Sequence, residues 1–210
     1  YAIVGVHNRL IPRRNAANNH DVYALYLAGV AASDSQWGMR INSDSYYAAP
    51  QIALGQWYHV VGRYDGSRKR VFVDGVEVGT GEAQTGNIID SGYDVCIGER
   101  VDDPDTNQRN WDGRIDEARI SDIVRSDSWI ATDYAMTNDN ASFYKSVGSP
   151  DDGLVAHWTF DDGSGTTAVD ATGHGYDATL EAGMDGTEWT DGAVGGALAF
   201  DGVDDWVRIP

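Results

Sequence analysis

The side chains best suited to chemistry in this chain are carboxylates, and aspartate outnumbers glutamate several-fold. Aspartate in such excess has three readings. It builds turns, because its short side chain bonds to the local backbone and tolerates the left-handed region. It ligates hard cations such as calcium, which take carboxylate and carbonyl oxygens. It also keeps a surface hydrated in a salty or alkaline habitat. Turns rank first, calcium close behind, habitat third. A carboxylate pair for acid–base work is poorly supported. In Arg114-Ile115-Asp116-Glu117-Ala118-Arg119 the two acids are adjacent, and neighbours on a strand point to opposite faces. His7, His20, His59, His157 and His174 form no H-x-x-x-H metal pair. His59 and His157 fall inside strand-like runs, where a hydrogen-bonded structural role is expected. Neither a Gly-x-Ser-x-Gly elbow nor a phosphate-binding glycine loop is present. The run Asp102-Asp103-Pro104-Asp105-Thr106-Asn107 alternates oxygen ligands but lacks the glycine and distal glutamate of an EF-hand, so a solvated loop is expected. Cys96 is the single cysteine, which rules out an internal disulfide and reads as a small core residue.

The elements that must position these groups are nearly all strands. Trp57–Tyr64 alternates and is followed by Asp65-Gly66; Arg70–Val73 is followed by Asp74-Gly75 and Val76–Val78. Asp-Gly between alternating runs signals a hairpin, since a type I′ turn needs positive φ at both central residues. Further strands are expected over Ala2–Val6, Val22–Leu27, Trp37–Ile41, Val95–Gly98, Gly113–Ile120, Leu154–Phe160, Ala178–Leu180, Ala197–Phe200 and Trp206–Ile209. Many short strands punctuated by Gly and Asp predict an all-β, antiparallel β-sandwich of jelly-roll type. One short helix is expected over Ser126–Tyr134, capped by Ser126 and burying Trp129 and Ile130. The 210 residues suffice for one sizeable sandwich. A formal charge of −18 argues against nucleic acid or an anionic membrane surface as partner, and no apolar run approaches a membrane span. With no initiator Met and no basic-then-apolar leader at Tyr1, the chain is expected to be a mature piece or a fragment. Asn140-Ala141-Ser142 is a sequon that matters only in a glycosylating cell.

Taken together, GQWYHVVGRYDG, VFVDGVEV, RIDEARI with its following Trp-Ile helix, and WTFDDGSG with FDGVDDWVRIP resemble the laminin-G-like, concanavalin-A-like jelly rolls. Their order is permuted. Residues 1–148 resemble the later strands of that fold, 149–152 carry linker punctuation, and 153–210 resemble the opening strands. The family's strand between WVRIP-like and YAIVG-like segments has no counterpart here. The resemblance therefore implies a domain completed by a neighbouring copy or closed in an unusual way. It also implies a structural calcium ion, with Asp116, Asp170 and Asp201 as carried-over ligands, Asp161 as a weaker fourth, and carbonyls near His174. Gly173 and Gly175 would let that last loop fold its carbonyls inward. Glucanases of this fold resemble one another in a Glu-x-Asp-x-(x)-Glu strand, and RIDEAR lacks its first and last Glu.

Four tryptophans, Trp57, Trp129, Trp158 and Trp206, fall at family positions that read as core. The rings left over for a ligand are Trp37, Tyr46 and Tyr47, which could stack on a sugar or dock against a neighbour. The sequence thus ranks three functions. The first is a non-catalytic extracellular structural or adhesive building block that assembles head to tail with other copies of itself by strand complementation, with filaments as the natural product. The second is a carbohydrate-binding module of a larger secreted glycan-processing protein. An enzyme comes last.

Overall fold

The Asp74-Gly75 hairpin forms as its residues dictate: φ is 51° at Asp74 and 78° at Gly75, the positive pair that a type I′ turn requires. The other Asp-Gly pair behaves differently. Asp65 Oδ1 accepts Ser67 N–H at 2.9 Å and Arg68 N–H at 2.8 Å, so the side chain organises a longer turn and only Gly66 takes positive φ.

The computed structural model describes residues 2–4, 13–15, 20–28, 36–42, 44–48, 52–53, 55–88, 95–98, 111–138 and 154–210. The expected linker 149–152, the Asn140 sequon, the acidic run 102–107 and His7 lie outside these residues. In chain order the strands begin with β1 (Ala2–Val4), β2 (Arg13–Asn15), β3 (His20–Ala28), β4 (Gln36–Ile41) and β5 (Asp44–Ala48). Next come β6 (Val60–Tyr64), β7 (Arg68–Val73), β8 (Val76–Ala83), β9 (Val95–Ile97), β10 (Asp112–Ile115) and β11 (Ala118–Ser121). Helix α1 (Asp127–Asn138) precedes β12 (Leu154–Trp158), β13 (Thr167–Ala168), β14 (Ala178–Glu181), β15 (Trp189–Asp191), β16 (Gly196–Asp201) and β17 (Trp206–Ile209).

All pairings are antiparallel, in a six-stranded sheet β12-β11-β1-β6-β7-β8, two four-stranded sheets β13-β14-β17-β9 and β2-β3-β4-β5, and a three-stranded sheet β10-β16-β15. This is the all-β sandwich expected. Strands of 154–210 pair with earlier ones in the same chain: β12 on β11, β16 on β10 and β17 on β9.

Alternation decides what each face meets. On β6, Val60 and Tyr64 enter the main core with Trp158, Phe160, Met39 and Leu198, while Val61 turns outward to Phe72 and Ile130 under α1. Buried on both faces, β6 has no solvent side. The helix starts where Ser126 places it, with Ser126 Oγ accepting Trp129 N–H at 3.1 Å. Ile130 is fully buried and Trp129 half-buried. Sheet β2–β5 is stitched to the six-stranded sheet by polar side chains. Fully buried Lys69 reaches Asp44 at 3.0 Å and Glu82 at 3.4 Å, and Tyr46 Oη donates to Val78 O at 3.2 Å.

The strand expected over Gly113–Ile120 divides. Glu117 adopts a φ of 54°, a left-handed conformation that L side chains rarely take, and the chain passes there from the three-stranded sheet into the six-stranded one. Of the tryptophans expected in the core, Trp158 is wholly buried, whereas Trp57, Trp129 and Trp206 are half-buried.

Candidate functional site

The kink at Glu117 aims two adjacent carboxylates in opposite directions. Asp116, 2% exposed, faces the turn between β15 and β16: its Oδ2 accepts the amides of Ala193 at 2.8 Å and Val194 at 2.9 Å. Its Oδ1 is buried without a hydrogen-bond partner among the described residues. Burial, with the nearby charges of Glu117 and Asp161, outweighs the two amide bonds and pushes the Asp116 carboxyl up to about 7. Asp161 grips the same turn from β12's end, its Oδ1 accepting Gly196 N–H at 2.5 Å.

The turn can approach these acids only because Gly192, Gly195 and Gly196 carry no side chains. A Cβ at Gly192 would lie 2.6 Å from Asp116 Oδ2, and one at Gly195 would lie 2.2 Å from Asp161 Oδ1. One at Gly196 would meet Phe160 O at 2.5 Å. An orphaned, buried carboxylate oxygen near a second carboxylate is the kind of oxygen donor that calcium takes. Asp116 and Asp161 would hold the ion, which would neutralise the two acids and fix the turn.

The carboxylates expected to share one ion occupy three places. Asp201 pairs across from Asp112, four residues along β10 from Asp116, a separation of roughly 13 Å at the rise of a strand. There it clusters with Asp204 and Asp205 and accepts Val203 N–H at 2.8 Å. Asp170 already has partners on both oxygens: Oδ1 accepts Thr172 Oγ1–H at 2.7 Å and the amides of Thr172 and His157, and Oδ2 accepts Tyr176 N–H. Burial alone would raise its carboxyl; these bonds bring it below the ordinary range. Exposed His174 turns Nδ1 to Val155 O at 3.1 Å. Only Asp116 and Asp161, of the expected set, converge.

Glu117 points the other way, beneath α1, into a buried ionic network. Its carboxylate meets Arg119 Nη2 at 2.5 Å and His157 Nε2 at 2.6 Å. Arg119 Nη1 donates to Asp133 Oδ1 at 2.7 Å, and Asp133 Oδ2 faces His59 Nε2 at 3.0 Å. Burial pushes Glu117 and Asp133 up, yet the histidine and arginine contacts hold both below their usual range. The network ties β6, β11, β12 and α1 together. Long-range pairing of this kind leaves no mark in local sequence.

Of the three rings proposed for a ligand, two face inward. Trp37 is 1% exposed and packs edge-on against Tyr58 in the core, because positions 37, 39 and 41 of β4 share its inner face. Tyr46 lies opposite Met39 on that face, with its hydroxyl bound to Val78 O and Gly81 N–H. Tyr47 alternates to the outer face and is 48% exposed. There it meets residues that sequence reasoning missed. Tyr26 of β3 lies edge-on to Tyr47 with centroids 5.8 Å apart, and pairs opposite Gly38, whose missing side chain leaves room for the ring. The Arg40 guanidinium lies 5.5 Å from the Tyr26 centroid, and Arg40 Nε donates to Ser45 Oγ at 2.8 Å. Burial pushes the Tyr26 hydroxyl up to about 12, while the neighbouring Tyr26 hydroxyl lowers that of Tyr47. The outer face of β3–β5 thus combines an exposed ring with arginine and hydroxyl groups. Period-two alternation assigns Tyr47 outward; only the register of β3 on β4 and β5 brings Tyr26, Arg40 and Ser45 to it.

A laminin G-type family model, described as the concanavalin A-like lectin/glucanases superfamily, matches residues 6–131. No curated protein sequence matches the chain. Among solved structures, a candidate carbohydrate-binding protein from Bacteroides ovatus is similar, with a TM-score of 0.62 and 16% identity over 82% of this chain. The chain spans 49% of that protein. A native heptameric SAP-like pentraxin from Limulus polyphemus gives a TM-score of 0.47 at 18% identity, covering 62% of this chain and 68% of the pentraxin. Domain 4 of an extracellular arabinanase from Geobacillus stearothermophilus, in complex with arabinotriose, gives 0.44 at 18% identity, covering 64% of this chain and 65% of that one.

Proposed function

Because the chain belongs to the concanavalin A-like lectin/glucanase superfamily, we propose that it is a non-catalytic carbohydrate-binding module that works outside the cell. The observation that carries this reading is the outer face of β3–β5, where exposed Tyr47 stands with Tyr26, Arg40 and Ser45. A pyranose presents an apolar C–H face for a ring and hydroxyls for hydrogen bonds; Tyr47 supplies the ring and half-buried Arg40 and Ser45 the polar groups, with buried Tyr26 backing them. The similar fold of the Bacteroides protein agrees with the reading. Calcium in the Asp116–Asp161 cradle would serve structure, pinning the β15–β16 turn of the opening segment to Asp116 of the later one. The absence of catalysis is supported by Glu117, whose carboxylate is engaged by Arg119 and His157 on the face opposite Asp116. The test is binding to an array of plant, algal and bacterial polysaccharides, with reducing-end release measured alongside. Retention on a glycan that Tyr47→Ala abolishes supports the module. Turnover lost in Asp116→Asn or Glu117→Gln would instead make it an enzyme.

Head-to-tail assembly remains a second reading, favoured by one observation. Among the described residues, β9 is an edge of its sheet, and an unpaired edge is a template for a neighbour's strand. Filaments in micrographs of purified protein would establish it, and a monomer in sedimentation across concentrations would remove it.

A further inference from the structure

The loop entering α1 brings two guanidinium groups to the helix's first turn without a matching number of carboxylates. Arg125 is 7% exposed. Its Nε donates to Ser121 Oγ at 3.1 Å, and its guanidinium carbon lies 4.5 Å from the centre of the Trp129 ring. Its Nη2 is buried without a hydrogen-bond partner among the described residues. Arg63, also 7% exposed, reaches the same turn from β6: Nη1 donates to Arg125 O at 2.8 Å and to Asp127 Oδ1 at 2.5 Å. Its Nε, too, is buried without a partner. Asp127 is the only carboxylate paired with either arginine among the described residues, and its side chain is 69% exposed.

The amino end of a helix adds partial positive charge of its own. Three positive features thus converge on one spot of a chain whose formal charge is −18. A buried guanidinium lacking a counter-charge is costly, so the arrangement calls for negative charge. Ser126 and Ser128 stand exposed at the start of α1 with their hydroxyls 3.0 Å apart.

We propose that the first turn of α1 is an oxyanion-binding site, in which Arg125 and Arg63, with the hydroxyls of Ser126 and Ser128, hold a sulfate or carboxylate group. The guanidinium fork matches the paired oxygens of such a group, and first-turn amides add donors. The site lies apart from both the β3–β5 face and the Asp116–Asp161 cradle, and it stands whether or not the module binds a neutral glycan.

The test is a titration of the whole chain with low-millimolar sodium sulfate, against sodium chloride at equal ionic strength, following Tm and tryptophan emission. Sulfate is expected to raise Tm saturably, by roughly 2–4 °C at about five times Kd, with chloride inert. Arg125→Met, which keeps the stem over Trp129, should lose that response. Should Arg125→Met not fold, Ser128→Asp supplies a built-in carboxylate and is expected to raise the sulfate-free Tm while abolishing the sulfate effect. A sulfated oligosaccharide and its desulfated counterpart identify the source. Tenfold tighter binding of the sulfated form than of free sulfate indicates an ester on a glycan, and equal binding indicates the free ion. A Tm rise that is linear, unsaturated and equal in wild type and both variants, or no rise in wild type, overturns the site.

Discussion

Replacing Asp116 by Asn should reverse its effect on stability according to whether calcium is present. Burial moves the folded carboxyl from 3.8 to about 7. Between those values the folded chain holds a proton that the unfolded chain has released. Unfolding is therefore disfavoured at low pH, and stability falls as pH rises through the window, fully lost above pH 7. A shift of about three units corresponds to ~4 kcal/mol. In chelator at pH 8, wild type bears that penalty. Asp116→Asn keeps an acceptor for the Ala193 and Val194 amides and removes the charge, so it should be the more stable protein, by at most ~4 kcal/mol. Calcium at 1,000 times its Kd would return about 4.1 kcal/mol to wild type and little to the variant, enough to outweigh a penalty of at most ~4 kcal/mol. Urea unfolding of both proteins, in calcium and in chelator, at pH 5 and pH 8, reads all of this. If Asp116→Asn is less stable than wild type by one fixed amount under all four conditions, the cradle is no cation site and the reasoning fails.

Other perturbations have equally defined outcomes. Gly195→Ala forces a side chain into a φ of 69° and against Asp161, so it should cost about 1–3 kcal/mol and blunt the calcium-dependent rise in Tm. Asp133→Ala strips buried Arg119 and His59 of their shared partner and should cost roughly 3–5 kcal/mol in urea unfolding. Tyr47→Ala, at an exposed position, should leave stability within about 0.5 kcal/mol while lowering affinity for any retained glycan about tenfold or more. Ser126→Ala should cost about 1 kcal/mol of stability through the lost helix cap.

What could be read locally was read well. Alternation placed β4, β6 and β17, the Asp74-Gly75 turn was legible from two residues, and Ser126 marked the helix start. The motifs single out Asp116 and Asp161, and the structure turns both toward the β15–β16 turn. Asp170 carries the same motif signal, and nothing in sequence distinguishes a carboxylate saturated by its own loop from one left open. Trp37 and Tyr47 illustrate the other limit. Both are aromatic residues near turns, and only the inward set of Met39 and Ile41 decides which ring reaches solvent. The Glu117–Arg119–Asp133–His59 network draws on residues 59 to 133, and cross-strand register assembles it.

The pairing of β17 with β9 has a consequence for synthesis. Val207 faces Ile97 across that ladder, so the partner of β9 is translated about 110 residues after it. At ~5–20 residues per second the ribosome needs roughly 5–20 s to deliver it. Throughout that interval β9 carries an unsatisfied edge, and the core residues Ile97, Trp111 and Ile115 lack the cover that β16 and β17 provide. Nascent chains held on one message at high density would expose the same edge side by side. Production of soluble protein should therefore depend on initiation rate and on chaperones that shield strand edges more than on the stability of the finished fold.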